Sequence, residues 1–272
     1  MSGKLYVVGT PIGNLGDFSP RAVQTLQEVD FIAAEDTRVT LKLLNHFDIK
    51  KELVSYFEHN KRERGELIAN RLIAGESCAI VTDAGMPAIS DPGEDLVRLC
   101  HERGIPVEAV PGPTAFATAL AISGMEVGRF TFEGFLSVSK KSRREHLEEL
   151  KNERRTMVFY EAPHKLIYTL RDFLDAFGDR EIALVREITK IHEEVIRTTL
   201  SEAVKKYEEV KPKGEFVLIL EGKKEEKNEM TLDEAVECAR RLVEGGQSIN
   251  SAAKEISSAT GFKKNDIYKA LL

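Results

Sequence analysis

Residues Asp83 to Gly93, DAGMPAISDPG, put two carboxylates, two prolines and two glycines into eleven consecutive positions. Gly85 and Gly93 permit backbone conformations closed to other residues, while Pro87 and Pro92 remove amide donors and fix φ. A carboxylate at Asp83 can hold an ammonium group or a ribose hydroxyl, or it can cap the turn's own amides. Both readings stay open for Asp83, and Asp91 has no assigned role. Two further loops share this character, Gly9-Thr10-Pro11-Ile12-Gly13-Asn14 and Pro111-Gly112-Pro113-Thr114. Neither phosphate-binding signature is present: GxxxxGK[ST] is absent, and Pro11 stands where GxGxxG needs its second glycine. Three such loops together make a groove shaped by backbone, which suits an adenosine-containing molecule without phosphates. The plain alternative for each is a turn rich in breakers.

Each loop follows a short apolar run. Leu5–Val8, Phe31–Ala34, Leu53–Tyr56, Cys78–Val81 and Val107–Val110 read as strands buried in a parallel sheet. Helical patterns alternate with them: Ser19-Pro20 opens one, Leu41 to Phe47 marks another, and Glu66–Ala74 and Glu94–Arg103 supply two more. This alternation predicts a parallel-sheet α/β domain over residues 1–117, with its ligand outside the carboxyl ends of the strands. Ala115–Ile122 is apolar on nearly every side and reads as a short buried helix joining two domains. Strand candidates then recur at Phe130–Leu136, Thr156–Tyr160, Ile182–Val185, Glu194–Thr199 and Phe216–Leu220, two of them close enough for antiparallel pairing. They predict a mixed α+β domain over 118–222. Gly222–Glu229, GKKEEKNE, reads as a solvated linker opening a tail over 223–272. Thr231–Val243 and two short helices divided by Gly261 give that tail the outline of a helix-turn-helix, or simply of a compact helical appendage.

The 272 residues carry 42% hydrophobic content and a net charge of -6, which fits a soluble globular protein and excludes one that coats nucleic acid indiscriminately. No signal-peptide-like or membrane-spanning run occurs. Cys78, Cys100 and Cys238 are odd in number and widely spaced, so neither a disulfide framework nor a thiolate metal site is expected, and a cytoplasmic location fits best. The six histidines form no HxxxH or HExxH pair, and no metal is predicted.

GTPIGN at Gly9, AEDTR at Ala34, DAGMPAISDPG at Asp83, PGPTA at Pro111, EGFL at Glu133, YEAPHK at Tyr160 and REITKIHEE at Arg186 occur in order. Together they resemble the bacterial ribosomal RNA small subunit methyltransferase I family, a branch of the tetrapyrrole methylase superfamily, from about Leu5 to Glu221. The resemblance implies a two-domain tetrapyrrole-methylase-like α/β fold with a small helical tail, acting as a homodimer. It also implies S-adenosyl-L-methionine as cofactor and, as substrate, the ribose 2'-hydroxyl of a cytidine in the decoding region of 16S rRNA in the small ribosomal subunit. Two alternatives stand beside it, a small-molecule tetrapyrrole methylase and a non-catalytic RNA-binding or ribosome-assembly module on a methylase fold.

Carried over residue by residue, the cofactor contacts are Pro11, Asp83, Met86, Thr114 and Ala115, with Tyr160 and Gly214 on the second-domain side. Ser137 departs from the proline that usually follows GFL. Methyl transfer to oxygen needs alignment and the removal of one proton. Glu35, Asp36, Glu161, His164, Glu187 and Glu193 lie in the motifs as candidate bases. Glu161 is the favoured catalytic residue because YEAPH follows a strand, although a simple pairing with His164 or an arginine would explain it equally well. RNA needs local positive charge. Lys140, Lys141, Arg143 and Arg144 after EGFL supply it, with Arg38 and Lys165 nearer the cleft; a solvated helix face is the ordinary alternative.

Overall fold

The computed structural model describes residues 3–224 and 230–272, arranged as two compact units, Met1–Lys223 and Lys224–Leu272. Part of the linker expected at Gly222–Glu229, residues 225–229, lies outside the described residues.

In the first unit, β1 (Leu5–Val8), β2 (Phe31–Ala34), β3 (Glu52–Ser55), β4 (Cys78–Val81) and β5 (Val107–Val110) form one all-parallel sheet. Its order is β3-β2-β4-β1-β5. Every residue of β2 and β4 is buried, because helices cover both faces. One face meets α1 (Pro20–Glu28) and α2 (Thr37–His46) through Leu26 and Leu44, packed with Val8, Ile32 and Val81. The other meets α3 (Lys61–Ile73) and α4 (Glu94–Glu102) through Ile68, Leu72 and Leu96, packed with Leu5, Phe31 and Ile80. The Ser19 hydroxyl accepts the Ala22 amide at 3.1 Å, and Pro20 occupies the first position of α1.

Two helix starts differ from expectation. α2 begins at Thr37, one turn before the helical pattern marked from Leu41, since the Asp36 carboxylate caps the Arg38 amide at 2.8 Å. α3 begins at Lys61 instead of Glu66; its first turn is Lys61-Arg62-Glu63-Arg64, which carries no apolar period to read.

Leu120 on α5 (Ala115–Ser123) packs under a second five-stranded sheet of order β6-β7-β10-β8-β9. Its strands are β6 (Phe130–Phe135), β7 (Thr156–Glu161), β8 (Glu181–Arg186), β9 (Glu194–Thr199) and β10 (Phe216–Leu220). β6 runs parallel to β7, with a register shift between Phe132 and Gly134, and the remaining pairs are antiparallel. The period-two alternation of β7 divides its side chains. Val158 faces α5, while Met157 and Phe159 face the opposite layer of α6 (Lys140–Leu150), α7 (Leu166–Phe177) and α8 (Leu200–Glu209).

The second unit is a three-helix cluster of α9 (Leu232–Glu244), α10 (Ile249–Thr260) and α11 (Lys264–Leu271) around Val236, Ala239, Ala252, Ala253 and Ile267. Thr231 and Glu234 close a reciprocal capping box at the start of α9.

Candidate active site

Because β4, β1 and β5 are neighbours, the three glycine- and proline-rich loops that follow them meet at one edge of the first sheet. The Thr10 amide donates to the Gly85 carbonyl at 2.9 Å, the Gly85 amide donates back at 3.1 Å, and the Thr10 hydroxyl donates to the Thr82 carbonyl at 3.1 Å. Gly9 and Gly112 approach so closely that a Cβ on Gly9 would lie 2.7 Å from the Gly112 Cα. Only glycine allows that contact. The β4–α4 loop is under backbone strain, with Ala88 at φ 68° and Ser90 at φ 63°.

Above this edge is a cavity of about 430 Å³, walled by the loops on one side and by the ends of β6, β7 and β10 on the other. Its lining includes five carboxylates, Glu35, Asp83, Asp91, Glu161 and Glu215, and no lysine, arginine or histidine. Ile12, Met86 and Ile188 add apolar surface. A cationic ligand with an apolar body fits such a wall, and a phosphorylated one does not. S-adenosyl-L-methionine, with its sulfonium and ammonium charges and its adenosine, meets those terms, and the size lies within the ordinary range for small-molecule sites.

The carboxylates differ in their partners. Glu35 accepts the Thr82 hydroxyl at 2.5 Å, Asp83 accepts the Asp36 amide at 3.2 Å, and Glu215 pairs with Lys190 at 3.0 Å. Desolvation in the cleft, reinforced by the neighbouring Glu35 charge, raises Asp83 above the ordinary carboxylate range. Asp91 is pushed up to about 7, chiefly by burial and then by Glu35; the Thr82 hydroxyl opposes the shift and Asp83 adds to it. Across the cavity, the Tyr160 hydroxyl accepts the Phe116 amide at 3.2 Å, in the first turn of α5. The Tyr160 ring lies 5.1 Å from Phe132 and 5.4 Å from Phe135 between centroids, and Phe135 is 59% exposed at the cavity wall.

Of the residues singled out from the sequence, Glu35, Asp83, Met86, Thr114, Ala115, Tyr160 and Glu161 line this one cavity. Pro11 and Gly214 do not; their neighbours Ile12 and Glu215 do. Gly214, at φ 82°, lies against Glu187 instead, where an added Cβ would come within 2.4 Å of the Glu187 Cγ.

Glu161 and Arg143 turn out to share one network. Glu161 is only 4% exposed; one oxygen accepts the Ala162 amide at 2.8 Å and the other accepts the Thr169 hydroxyl. The Arg143 guanidinium donates to that same Thr169 oxygen at 2.8 Å and pairs with Asp172 at 2.5 Å, leaving its side chain 16% exposed. Each Glu161 oxygen accepts one fixed donor, and Arg143 faces inward toward α7 rather than outward with its neighbours on α6. Lys140, Lys141 and Arg144 remain on the outer face of α6. Arg38 is exposed but binds the Asp36 carboxylate at 2.6 Å, and Lys165 ends the short turn Pro163–Lys165 beside the cavity. Asp91, Phe135 and Ile188 were not singled out: Asp91 had motif membership but no assigned chemistry, Phe135 sat inside EGFL, and Ile188 had no signal beyond an apolar residue in a polar motif.

Residues 4–204 match the family model described as Tetrapyrrole (Corrin/Porphyrin) Methylases. The chain is 48% identical over 270 residues to the ribosomal RNA small subunit methyltransferase I of Halalkalibacterium halodurans, covering 98% of this chain and 93% of that one. With the protein of the same name from Thermotoga maritima the identity is 52% over 221 residues, covering 81% of this chain and 99% of the relative. Among solved structures, the uroporphyrin-III C-methyl transferase of Thermus thermophilus in complex with S-adenosyl homocysteine superposes with a TM-score of 0.57. Its identity is 21%, over 80% of this chain and 97% of the other, which speaks to the fold. Diphthine synthase does so with a TM-score of 0.61 at 12% identity, over 81% and 90% of the two chains. The motif order, the three-loop edge and the near full-length identity agree: the chain belongs to the ribosomal RNA small subunit methyltransferase I family, within the tetrapyrrole methylases.

Proposed function

We propose that the protein transfers a methyl group from S-adenosyl-L-methionine to the ribose 2'-hydroxyl of a cytidine in the decoding region of 16S rRNA, as a cytoplasmic homodimer. The observation that carries this reading is the relatives' shared name over nearly the whole chain, joined to a cavity whose wall is anionic and free of cations. When bound, S-adenosyl-L-methionine supplies an electrophilic methyl group on a positively charged sulfur. Asp83 accepts its ammonium or ribose hydroxyls, Met86, Ile12 and Ile188 cover its apolar body, and Thr114 and Ala115 offer the amino end of α5. Tyr160, held by the Phe116 amide, closes the opposite wall.

Lys140, Lys141 and Arg144 on α6, with Lys165 nearer the cavity, supply the local positive charge that an RNA backbone requires from a chain of net charge -6. Glu161 holds the cavity wall in shape rather than taking the proton. Among the described residues no group of three or more His, Cys, Asp or Glu side chains is placed to hold a metal, and no helix is long and apolar enough to cross a membrane.

The test is transfer of labelled methyl to small subunits lacking the modification, beside free rRNA and a tetrapyrrole. Label in the rRNA ribose is the expected outcome. Label in the tetrapyrrole alone would move the protein to the small-molecule branch that the family model's description covers.

A further inference from the structure

β6 carries one residue more than its neighbour can pair. Its ladder with β7 sets Phe132 opposite Val158, skips Glu133, and resumes with Gly134 opposite Phe159 and Phe135 opposite Tyr160. Gly134 takes the left-handed backbone of a bulge, at φ 63°. Period-two alternation alone would put Phe135 on the face of Glu133, whose carboxylate meets the His146 ring of α6 at 2.9 Å. The extra residue turns Phe135 over, to the face of Tyr160 and the cavity. Phe132 and Phe135 stand an odd number of positions apart, yet both lie against the same Tyr160 ring.

The bulge thus delivers a ring that is footed on other rings and still faces water. Tyr160 is held by the Phe116 amide, and Phe116 packs on Phe132 with centroids 4.7 Å apart. An exposed phenylalanine standing by itself needs no explanation. Phe135 is different, because bulges re-aim side chains beside active sites and this one aims a 59% exposed ring at the wall of the cavity that fits the cofactor. Leu136 then returns to the opposite layer with Leu147 of α6. Lys140 opens α6 within about 17 Å of extended chain from Phe135, and Lys141 and Arg144 follow it. An aromatic platform beside a row of cations is the arrangement on which single-stranded nucleic acid is held, bases on the ring and phosphates on the charges.

We propose that Phe135 is the stacking platform for the base of the nucleotide being methylated. The inference rests on the methyltransferase reading and adds to it the residue that holds the target nucleotide. A ribose whose hydroxyl enters the cavity brings its own base to the cavity wall, and Phe135 is the exposed ring there. The five carboxylates of the lining repel phosphate, so the uncharged base is the part of a nucleotide that this wall accepts, while the phosphates stay outside with the cations of α6.

Stacking on an aromatic side chain has a size and a chemistry that separate it from plain apolar cover. Its loss costs about 5- to 150-fold per base. It needs a ring face, so Phe135→Tyr keeps it, whereas Phe135→Leu keeps only apolar bulk. It involves no phosphate, so its loss leaves the salt dependence of binding unaltered. The side chain is exposed, so none of these changes disturbs a packed core.

The experiment compares wild type, Phe135→Tyr, Phe135→Leu and Phe135→Ala in single-turnover methyl transfer to rising concentrations of small subunits lacking the modification. Calorimetry of S-adenosylhomocysteine, the salt dependence of subunit binding and sedimentation of the free protein accompany it. Phe135→Leu and Phe135→Ala should lower the ratio of rate to half-saturating concentration by about tenfold or more, and Phe135→Tyr should stay within about threefold of wild type. Affinity for S-adenosylhomocysteine should hold within about twofold in all of them, with an unaltered salt slope and an unaltered sedimentation profile. An active wild type with Phe135→Leu equally active overturns the inference, because the ring face then carries nothing. Affinity for S-adenosylhomocysteine falling in step with the rate also overturns it, placing the ring against the cofactor, and so does dissociation of a dimer, placing it against a second copy. A wild type that transfers no label overturns the methyltransferase reading and the inference with it.

Discussion

Replacing Arg143 by alanine should weaken the fold far more than it weakens RNA binding, and the same change at Arg144 should do the reverse. Arg143 gives one charge-assisted hydrogen bond to Asp172 at 2.5 Å and one to the Thr169 hydroxyl at 2.8 Å. Its side chain is 16% exposed, and that of Asp172 is 41% exposed. A fully buried pair broken on one side costs about 3–5 kcal/mol and a surface pair at most about 1. The half-open geometry places this one near 2 kcal/mol, and the lone pair stranded on buried Thr169 adds about 1. A loss of about 3 kcal/mol in a unit of this size lowers the melting temperature by roughly 6–12 °C. Thermal denaturation of Arg143→Ala, Asp172→Ala and the double variant measures the coupling, which should come out at about 1–2 kcal/mol. Arg144→Ala should melt within about 1 °C of wild type, as surface changes do. If Arg143→Ala also melts with wild type while RNA affinity drops as it does for Arg144→Ala, the inward network has no energetic weight and the arginine belongs to the RNA surface.

Asp83→Ala should weaken cofactor affinity by about tenfold or more, the scale of one charge-assisted hydrogen bond; unchanged affinity by calorimetry would remove Asp83 from the site. Gly112→Ala drives a Cβ to within 2.8 Å of the Gly9 Cα, so it should separate the first and third loops, cost about 1–3 kcal/mol and reduce cofactor binding; a fully active, equally stable variant would contradict the close approach. Charge reversal at Lys140, Lys141 and Arg144 together should flatten the salt dependence of RNA binding, by about 0.7 in slope for each phosphate of a single strand that is no longer neutralised. An unaltered slope would return these residues to plain surface. Ending the chain at Lys223 should leave cofactor binding intact, because the cavity lies wholly in the first unit; calorimetry of the truncated protein decides it.

Most of the frame was legible in the residues. Unbroken apolar runs such as Cys78–Val81 leave little alternative to a strand buried on both faces, and the breaker loops after β1, β4 and β5 mark the ligand edge. Strand order was not legible. That β4 inserts between β2 and β1 is what brings Glu35 beside the Asp83 loop, and a chain read in order gives no sign of it. Direction along a helix was equally hidden. Arg143 and Arg144 are adjacent in sequence, yet about 100° of helical turn sends one to Thr169 and the other outward. The same limit hid the partners of Glu161, since a strand's final residue faces the cavity whatever its oxygens bind. Asp91 shows the converse: its motif was conspicuous, but its burial beside Glu35 and Asp83 is a property of three dimensions.

The chain of hydrogen bonds from Glu161 through Thr169 to Arg143 and Asp172 has a consequence for substrate choice. It fastens α6 to the cavity wall by way of α7. On the proposed reading, in which Lys140, Lys141 and Arg144 hold the RNA backbone, the cations of α6 would then act as a ruler: a strand gripped there would offer one nucleotide, at one set span from its anchored phosphates, for methylation, and its neighbours would fall short or overshoot.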